Sequence, residues 1–258
     1  WANAEILHYH KEGEAALAEM KIVVAKIQET NNKTALAKAQ NFLAYIYLNL
    51  GKYNDCIETF LKSIDLARQN NIVSTLPESY SGLAYAYRYV GNVEEQRKQL
   101  ILMADISLKK NYTKYAADAY LRLGDIGMEI DSNFTYAIQQ YQKCLGLRKQ
   151  LNDSASIAFT LLRLAWNHYL NKELDTALNQ FFLSLEYSIP INKLTSITNA
   201  YGNIGTIYRD KKEFEKALQT YEEALRINIQ TGESYLEASN YLNIADVYLK
   251  MKNYKAAI

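Results

Sequence analysis

The sequence is poor in the residues that interrupt helices. Its 258 residues include only 2 Pro and 10 Gly, too few for the many tight turns of an all-β protein. No apolar run approaches the roughly 20 residues that a membrane-spanning helix needs, and no signal peptide is visible. These scarcities favour long helices. Because the chain begins at Trp1 without an initiator Met, we interpret it as a fragment of a longer protein.

An excess of one charge is missing as well. The chain carries 29 Lys and Arg against 28 Asp and Glu, for a formal net charge of +1. Nucleic-acid binders usually show a basic excess or a basic stripe, so we expect no nucleic-acid partner. Two cysteines, Cys56 and Cys144, are too few for a disulfide scaffold, and we interpret both as buried thiols.

Motifs that carry chemistry are also lacking. The sequence has no phosphate-binding loop, no dinucleotide fingerprint, no nucleophile elbow and no H-E-x-x-H zinc motif. His8 and His10 are two residues apart and would point to different sides of a helix, whereas a metal pair needs a spacing of three or four. We therefore predict that this part of the chain is not an enzyme and holds no cofactor or metal.

The sequence does contain an internal repeat with a period of about 40 residues. A small residue recurs in the middle of every second predicted helix, and only the step from Gly124 to Ala165 is longer than the others, by one residue: Ala44, Ala84, Gly124, Ala165, Gly205 and Ala245. A large aliphatic residue precedes each one, and three residues later most copies have an aromatic ring: Tyr47, Tyr87, His168, Tyr208 and Tyr248. Spacings of three, four and seven are typical of helices.

The repeat predicts pairs of helices. We expect first helices near 36–50, 76–90, 114–130, 155–171, 195–210 and 235–250. We expect second helices near 53–69, 93–110, 134–150, 174–189 and 214–230, with a last one from Tyr254. The copy that contains Gly124 is irregular, because Gly127 or Met128 replaces the aromatic residue and one residue is inserted before Phe134.

This pattern resembles the tetratricopeptide repeat, and the segment Tyr201–Leu225 matches it almost completely. HEAT repeats have a similar period, roughly 40 residues, but the small-to-aromatic register favours the tetratricopeptide family. The resemblance implies an all-α fold, a right-handed α-α superhelix of about six to seven helix pairs. It implies a single domain over residues 1–258, with a degenerate first repeat at 1–35 and a truncated last repeat at 254–258.

The resemblance also implies where a partner binds. With the small residue as position 8 of each first helix, positions 2, 5, 6, 9, 12 and 13 face the groove in this family. Position 6 reads Arg122, Arg163, Asn203 and Asn243, residue types that hold carboxylates and backbone amides. The alternative is that these polar side chains only keep an exposed helix face hydrated and bind no partner. The predicted partner-binding residues are Asn41, Tyr45, Tyr85, Arg88, Tyr89, Arg122, Asp125, Arg163, Trp166, Tyr169, Asn203, Arg209 and Asn243.

The expected function is that of a module that binds a protein or an extended peptide. Arrays with this period are similar to the sensory or scaffold regions of sensor kinases and regulators in the Bacteroides group. Alternatives are a peptide-switched inhibitor of response regulators, similar to the Rap proteins of bacilli, and a purely structural assembly scaffold. Localisation stays open between periplasm and cytoplasm, and a homodimer through the open C-terminal helix is a further expectation.

Overall fold

The computed structural model describes residues 13–253. Within that range the chain forms twelve α-helices and no strand, so the predicted all-α class of stacked helix pairs is confirmed. The helices are α1 Gly13–Glu29, α2 Lys33–Asn49, α3 Tyr53–Gln69, α4 Leu76–Tyr89, α5 Val93–Lys109, α6 Thr113–Glu129, α7 Phe134–Gln150, α8 Ser154–Leu170, α9 Leu174–Ser188, α10 Leu194–Asp210, α11 Phe214–Thr231 and α12 Ser234–Lys250.

The predicted helix bounds agree with the structure to within one or two residues, except at the start of α2. There the helix begins at Lys33 rather than at residue 36, because the Asn32 side chain accepts a hydrogen bond from the backbone N–H of Ala35 and so caps the first turn. The last helix predicted from Tyr254, and the dimer surface expected on it, lie outside the described residues, as do His8 and His10.

The turns repeat with half the period of the helix pairs. One residue with a left-handed backbone follows each helix from α2 to α12, at even intervals apart from one step that is longer by a single residue. These residues are Gly51, Asn71, Gly91, Asn111, Ser132, Asn152, Lys172, Asn192, Lys212, Gly232 and Lys252. A left-handed residue at this place satisfies the last carbonyls of the helix before it.

Alanine at Gly91 and at Gly146 is expected to change stability in opposite directions. A Cβ atom meets nothing within 4 Å at either position, but Gly91 has a φ of +74° whereas Gly146 lies inside α7. The left-handed backbone should make Gly91→Ala destabilising by about 1 kcal/mol, and helix propensity should make Gly146→Ala stabilising by about 1 kcal/mol. Urea denaturation of the two variants measures both. Equal shifts would contradict the backbone explanation.

The chain divides into two compact units, one ending at Ile126 and the other beginning at Gly127. In the first unit, the small positions Ala44 and Ala84 are fully buried and pack in one apolar core with Phe60 and Leu100. Ala16 and Met20 of α1 join this core and are also fully buried. They lie one period before Cys56 and Phe60, as expected for the second helix of a first repeat.

The second unit has the same construction. Ala165, Ala177 and Phe181 are fully buried in one apolar core, and Ala217 and Tyr221 are fully buried against Val247. Both cysteines of the chain are buried and free, as predicted. His168 is buried too, and its Nδ1 lies 2.6 Å from Glu173 Oε2. This contact ties the end of α8 to the start of α9, which is a structural role.

The irregular repeat keeps its turn by a local change in hydrogen bonding. At the equivalent turns the N–H of the residue before the second helix bonds to the carbonyl five residues back, as from Lys52 to Tyr47. After α6 the corresponding bond runs from Asn133 to Gly127, six residues back, at 2.8 Å. The inserted residue is therefore absorbed within the turn, and Gly127, not Met128, occupies the place of the aromatic residue.

Candidate functional site

In the first unit, Arg122 is held in a preformed position by neighbours on α4. Its guanidinium carbon lies 3.8 Å from the centre of the Tyr85 ring. Its Nη1 donates to the carbonyl of Ser81 at 3.3 Å and to the Ser81 hydroxyl at 3.1 Å. Burial lowers the pKa of Arg122, but an arginine stays charged at neutral pH. A fixed cation therefore lies beside an aromatic ring on the first-helix surface of this unit.

An acidic residue, Glu78, lies near Tyr45 in the same unit. Burial raises the pKa of the Glu78 carboxyl, while the Asn41 side chain and the charge of Lys38 oppose part of that rise. The Tyr45 hydroxyl donates to the Glu78 carbonyl at 3.5 Å, and burial raises the pKa of this phenol far above its usual value. Asn41 itself is only 1% exposed and accepts a hydrogen bond from Ser79. It supports the surface from beneath rather than facing outward.

Four tyrosines surround a cavity of about 650 Å³ at one end of this surface. Tyr45, Tyr85 and Tyr89 were predicted as groove residues, whereas Tyr53 begins the second helix α3 and was not. The rings of Tyr53 and Tyr89 stack with their centres 5.2 Å apart, and Tyr89 is 61% exposed. Arg88 is exposed on the same helix. The cavity offers aromatic faces and hydroxyl groups.

In the second unit, α8 and α10 enclose a cavity of about 430 Å³ that combines aromatic, cationic and amide side chains. Phe159, Arg163 and Trp166 line it from α8, and Asn199 and Asn203 line it from α10. The Arg163 guanidinium lies over the Phe159 ring at 5.4 Å and 3.9 Å from a Glu129 carboxylate oxygen. The predicted residues Arg163, Trp166 and Asn203 therefore share one site.

A second, more polar cavity of about 170 Å³ adjoins the first, because Asn199 and Asn203 line both. Asn243 of α12 faces it, as the position-6 pattern predicts. Asn228 of α11 and Asn240 of α12 line it too, and neither was predicted. The pattern missed Asn228 because it searched first helices only, and it missed Asn240 because that residue is at position 3.

Other predicted residues of this unit already have partners within the protein. The Tyr169 hydroxyl donates to Asp210 at 2.7 Å, and Asp210 also pairs with Arg209. Arg209 lies 3.5 Å from Asp246 of the next first helix. Burial, together with the bond to Asp210, raises the pKa of Tyr169 to about 12. These contacts connect α8, α10 and α12 and stiffen the surface.

The predicted partner-binding residues thus fall into two groups. Arg163, Trp166, Asn203 and Asn243 line the two adjoining cavities of the second unit. Arg122 belongs to the first unit, and Asp125 is partly exposed on the same helix. A binding stripe that runs through all four position-6 residues therefore stays a prediction.

Neither a cluster of metal ligands nor a membrane-spanning helix is found among the described residues. Between residues 13 and 253, no group of three or more His, Cys, Asp and Glu side chains is placed to hold a metal ion. Over the same range, no helix combines the length and apolarity that crossing a bilayer requires.

Stacked helix pairs of this kind define a helical repeat protein, a class whose extended surfaces bind other proteins. Models of the tetratricopeptide repeat match residues 37–70 and 196–258, and a model described as SHNi-TPR matches residues 117–154. The chain belongs to the tetratricopeptide repeat family.

Two curated proteins illustrate the sequence likeness. The chain is 24% identical over 241 residues to response regulator aspartate phosphatase I of Bacillus subtilis, an alignment that covers 88% of this chain and 61% of that protein. The chain therefore spans about three fifths of that relative. It is 26% identical over 156 residues to the photosystem I assembly protein Ycf3 of Synechococcus elongatus, covering 56% of this chain and 86% of that protein.

Two solved structures show the same fold. One is a signal transduction ATPase with a tetratricopeptide repeat sensor from Pyrococcus horikoshii, with a TM-score of 0.82, 20% identity and coverage of 97% of this chain and 38% of that chain. The other is the apo form of RapI, with a TM-score of 0.69, 14% identity and coverage of 98% and 97%. At these identities the likeness concerns the fold alone.

Proposed function

We propose that the second unit holds an extended peptide, or an extended segment of a protein, along the first helices α8, α10 and α12. The observation that carries this proposal is the pair of adjoining cavities with Asn199 and Asn203 as their common wall. Together they provide a continuous surface with an aromatic end at Phe159 and Trp166 and an amide end at Asn243.

The side chains of this surface suit the main chain of a peptide. An asparagine amide both donates and accepts hydrogen bonds, as a peptide group does. Arg163 adds a planar set of donors that fits a carboxylate or a carbonyl. Aromatic and arginine side chains are also the types that dominate the energetics of protein interfaces. The first-helix surface therefore offers both anchoring area and directional contacts.

The context we propose is a sensory or scaffold region of a bacterial signalling protein. The fold of the Pyrococcus sensor supports it, since tetratricopeptide repeats serve as the sensor of a signalling protein there. In this role the region binds its partner without catalysis. Reading the coding sequence on both sides tests the context, because a downstream membrane span followed by a kinase or a helix-turn-helix domain is expected.

A second candidate is a peptide-switched regulator. It is favoured by the Bacillus relative, and by the likeness to a Rap protein solved in complex with competence and sporulation factor, at a TM-score of 0.59 and 10% identity. In that case a three-helix bundle is expected upstream. The full protein should then remove phosphate from a phosphorylated receiver domain, or block its output, in a peptide-dependent manner. The name of the Synechococcus relative indicates an assembly role for that protein. A structural assembly role for this chain predicts neither a downstream signalling domain nor an upstream three-helix bundle.

Alanine at Asn203 or Arg163 is expected to weaken peptide binding about tenfold, since truncating a central contact of an interface typically costs about 1–2 kcal/mol. The probe is an end-blocked decapeptide selected from a displayed library, labelled and titrated by fluorescence anisotropy. Matched controls are Asn179→Ala and Lys149→Ala, both exposed on second helices. If all four variants bind as the unmodified protein does, the proposed surface is wrong.

A further inference from the structure

The smaller cavity of the second unit exists because of one residue on a second helix. Asn228 lies two periods of the repeat after Arg148, and Asn240 lies two periods after Thr160. At the earlier place the Arg148 side chain crosses from α7 to α8, where its Nη1 donates to Thr160 Oγ1 at 2.6 Å and to the Ser156 carbonyl at 2.9 Å. Asn228 is three atoms shorter along its side chain. The space that an arginine fills upstream is therefore open between α11 and α12.

The wall of this cavity is rich in amide groups that the protein itself leaves available. Asn228 is 2% exposed and lines the cavity from α11. Asn203 and Asn240 each donate one N–H to the carbonyl four residues earlier in their own helix. Their Oδ1 atoms remain as acceptors. A ligand group that both donates and accepts can therefore form several hydrogen bonds with the amides of this wall.

The cavity also carries no charge. Asparagine, threonine, serine, glycine and leucine make up its wall. Arg209 of α10 and Asp246 of α12, two charged residues of the same helices, pair with each other. A carboxylate or an ammonium group in this cavity would lose part of its hydration without meeting an opposite charge on the wall, which is unfavourable. A neutral group that both donates and accepts hydrogen bonds does not meet this penalty.

We propose that this cavity is a specificity pocket for a carboxamide side chain, so that the bound peptide carries Gln or Asn at this point. The proposal rests on the proposed function of the same surface and narrows it. The larger cavity, with Phe159 and Trp166, takes a bulky apolar side chain of the same peptide. Because side chains two residues apart lie on one face of an extended chain, about 7 Å apart, the motif is an apolar residue separated by one residue from the amide.

The test uses end-blocked peptides with a fixed Leu and a variable residue two positions later, which is Gln, Asn, Glu, Lys or Ala. Binding to the whole protein is measured by fluorescence anisotropy. We expect the Gln or Asn peptide to bind at least about tenfold more tightly than the Glu and Lys peptides. A Leu peptide with Gln that binds no better than the one with Ala overturns the pocket but leaves the groove in place. If none of the five binds while the library-selected decapeptide does, the pocket and its motif are wrong and the groove stands; if the decapeptide fails as well, both proposals are wrong.

A variant that closes the cavity completes the test. The double substitution Asn228→Arg and Asn240→Thr copies the upstream arrangement of Arg148 with Thr160, so that it is expected to fold, which circular dichroism checks. It should abolish the preference for Gln and Asn over Ala, so that the three peptides bind with affinities within about twofold of one another. Asn179→Arg on the exposed face of α9 is the matched control. If the double variant keeps the preference, the cavity does not read the side chain.

Discussion

Gly82→Ala is expected to lower the free energy of unfolding of the first unit by about 2 kcal/mol. A Cβ atom at this position would lie 2.1 Å from Phe60 Cζ and less than 3 Å from both neighbouring ring carbons. Overpacking a core by one methyl group typically costs about 1–3 kcal/mol. The greater helix propensity of alanine offsets about 1 kcal/mol of this cost. Because the clash with the ring is severe, we expect an overpacking cost of about 3 kcal/mol, and the net loss of stability is then about 2 kcal/mol.

The Phe60 ring cannot move aside without disturbing a predicted groove residue. Phe60 is fully buried, and its ring packs edge-on against Tyr45 with the ring centres 5.2 Å apart. Tyr45 in turn lines the tyrosine cavity of the first unit. We therefore expect Gly82→Ala to alter the fluorescence of the tyrosines there as well as the stability.

A double-mutant cycle with Phe60→Leu separates the clash from other effects. Phe60→Leu alone should destabilise by about 1–2 kcal/mol because it leaves a cavity. In the double variant the smaller side chain makes room for the methyl group, so that the combined loss should fall short of the sum by about 1 kcal/mol or more. Gly146→Ala provides the same chemical change without a neighbour. Additive losses in urea denaturation would show that the ring is not the obstacle.

The sequence predicts this fold well because every copy of the repeat has the same packing requirements. Each copy sets a small residue where two helices touch, and the turn follows at a fixed distance, so helix bounds follow from the period alone. The repeat pattern does not single out Gly82, since it lies two residues before the small position and its role depends on where one ring happens to point. The early start of α2 depends similarly on a single cap, Asn32.

The candidate site is predictable only in part, for a related reason. Position 6 pointed to Arg163, Asn203 and Asn243, and these residues do line adjoining cavities. The most buried member of the smaller cavity, Asn228, lies on a second helix, and only its comparison with Arg148 shows what it leaves open. How far a side chain reaches across a helix interface depends on how the two helices pack against each other. The repeat period of the sequence does not contain this information.

The irregular repeat leads to a test in which the repeat pattern and the structure disagree. At Gly127 the pattern has an aromatic residue in most copies, so that Gly127→Tyr would restore it and should stabilise. In the structure a Cβ at Gly127 lies 2.7 Å from Tyr136 Cδ1 and 3.3 Å from the Ala137 backbone nitrogen. The Tyr136 ring of α7 therefore occupies space that a larger side chain at Gly127 would need. We expect Gly127→Tyr to destabilise by about 3 kcal/mol.

Exchanging the two positions should recover much of that loss. In the repeat of α10 and α11 the aromatic residue is Tyr208, and Lys216 of the second helix lies over its ring at 5.3 Å. The double variant Gly127→Tyr with Tyr136→Lys copies this pair, so it should be more stable than Gly127→Tyr alone by at least about 1 kcal/mol. Tyr136→Lys by itself is the control, and it should destabilise because nothing replaces the ring. Thermal and urea unfolding of the three variants measure these differences.

A single Gly127→Tyr variant as stable as the original chain would mean that the aromatic position is set by the repeat and not by its neighbours. If the double variant is instead more stable than Gly127→Tyr alone, the aromatic side chain of this repeat is supplied by Tyr136 of the second helix and not by the first helix. The extra residue in the turn then accompanies this difference.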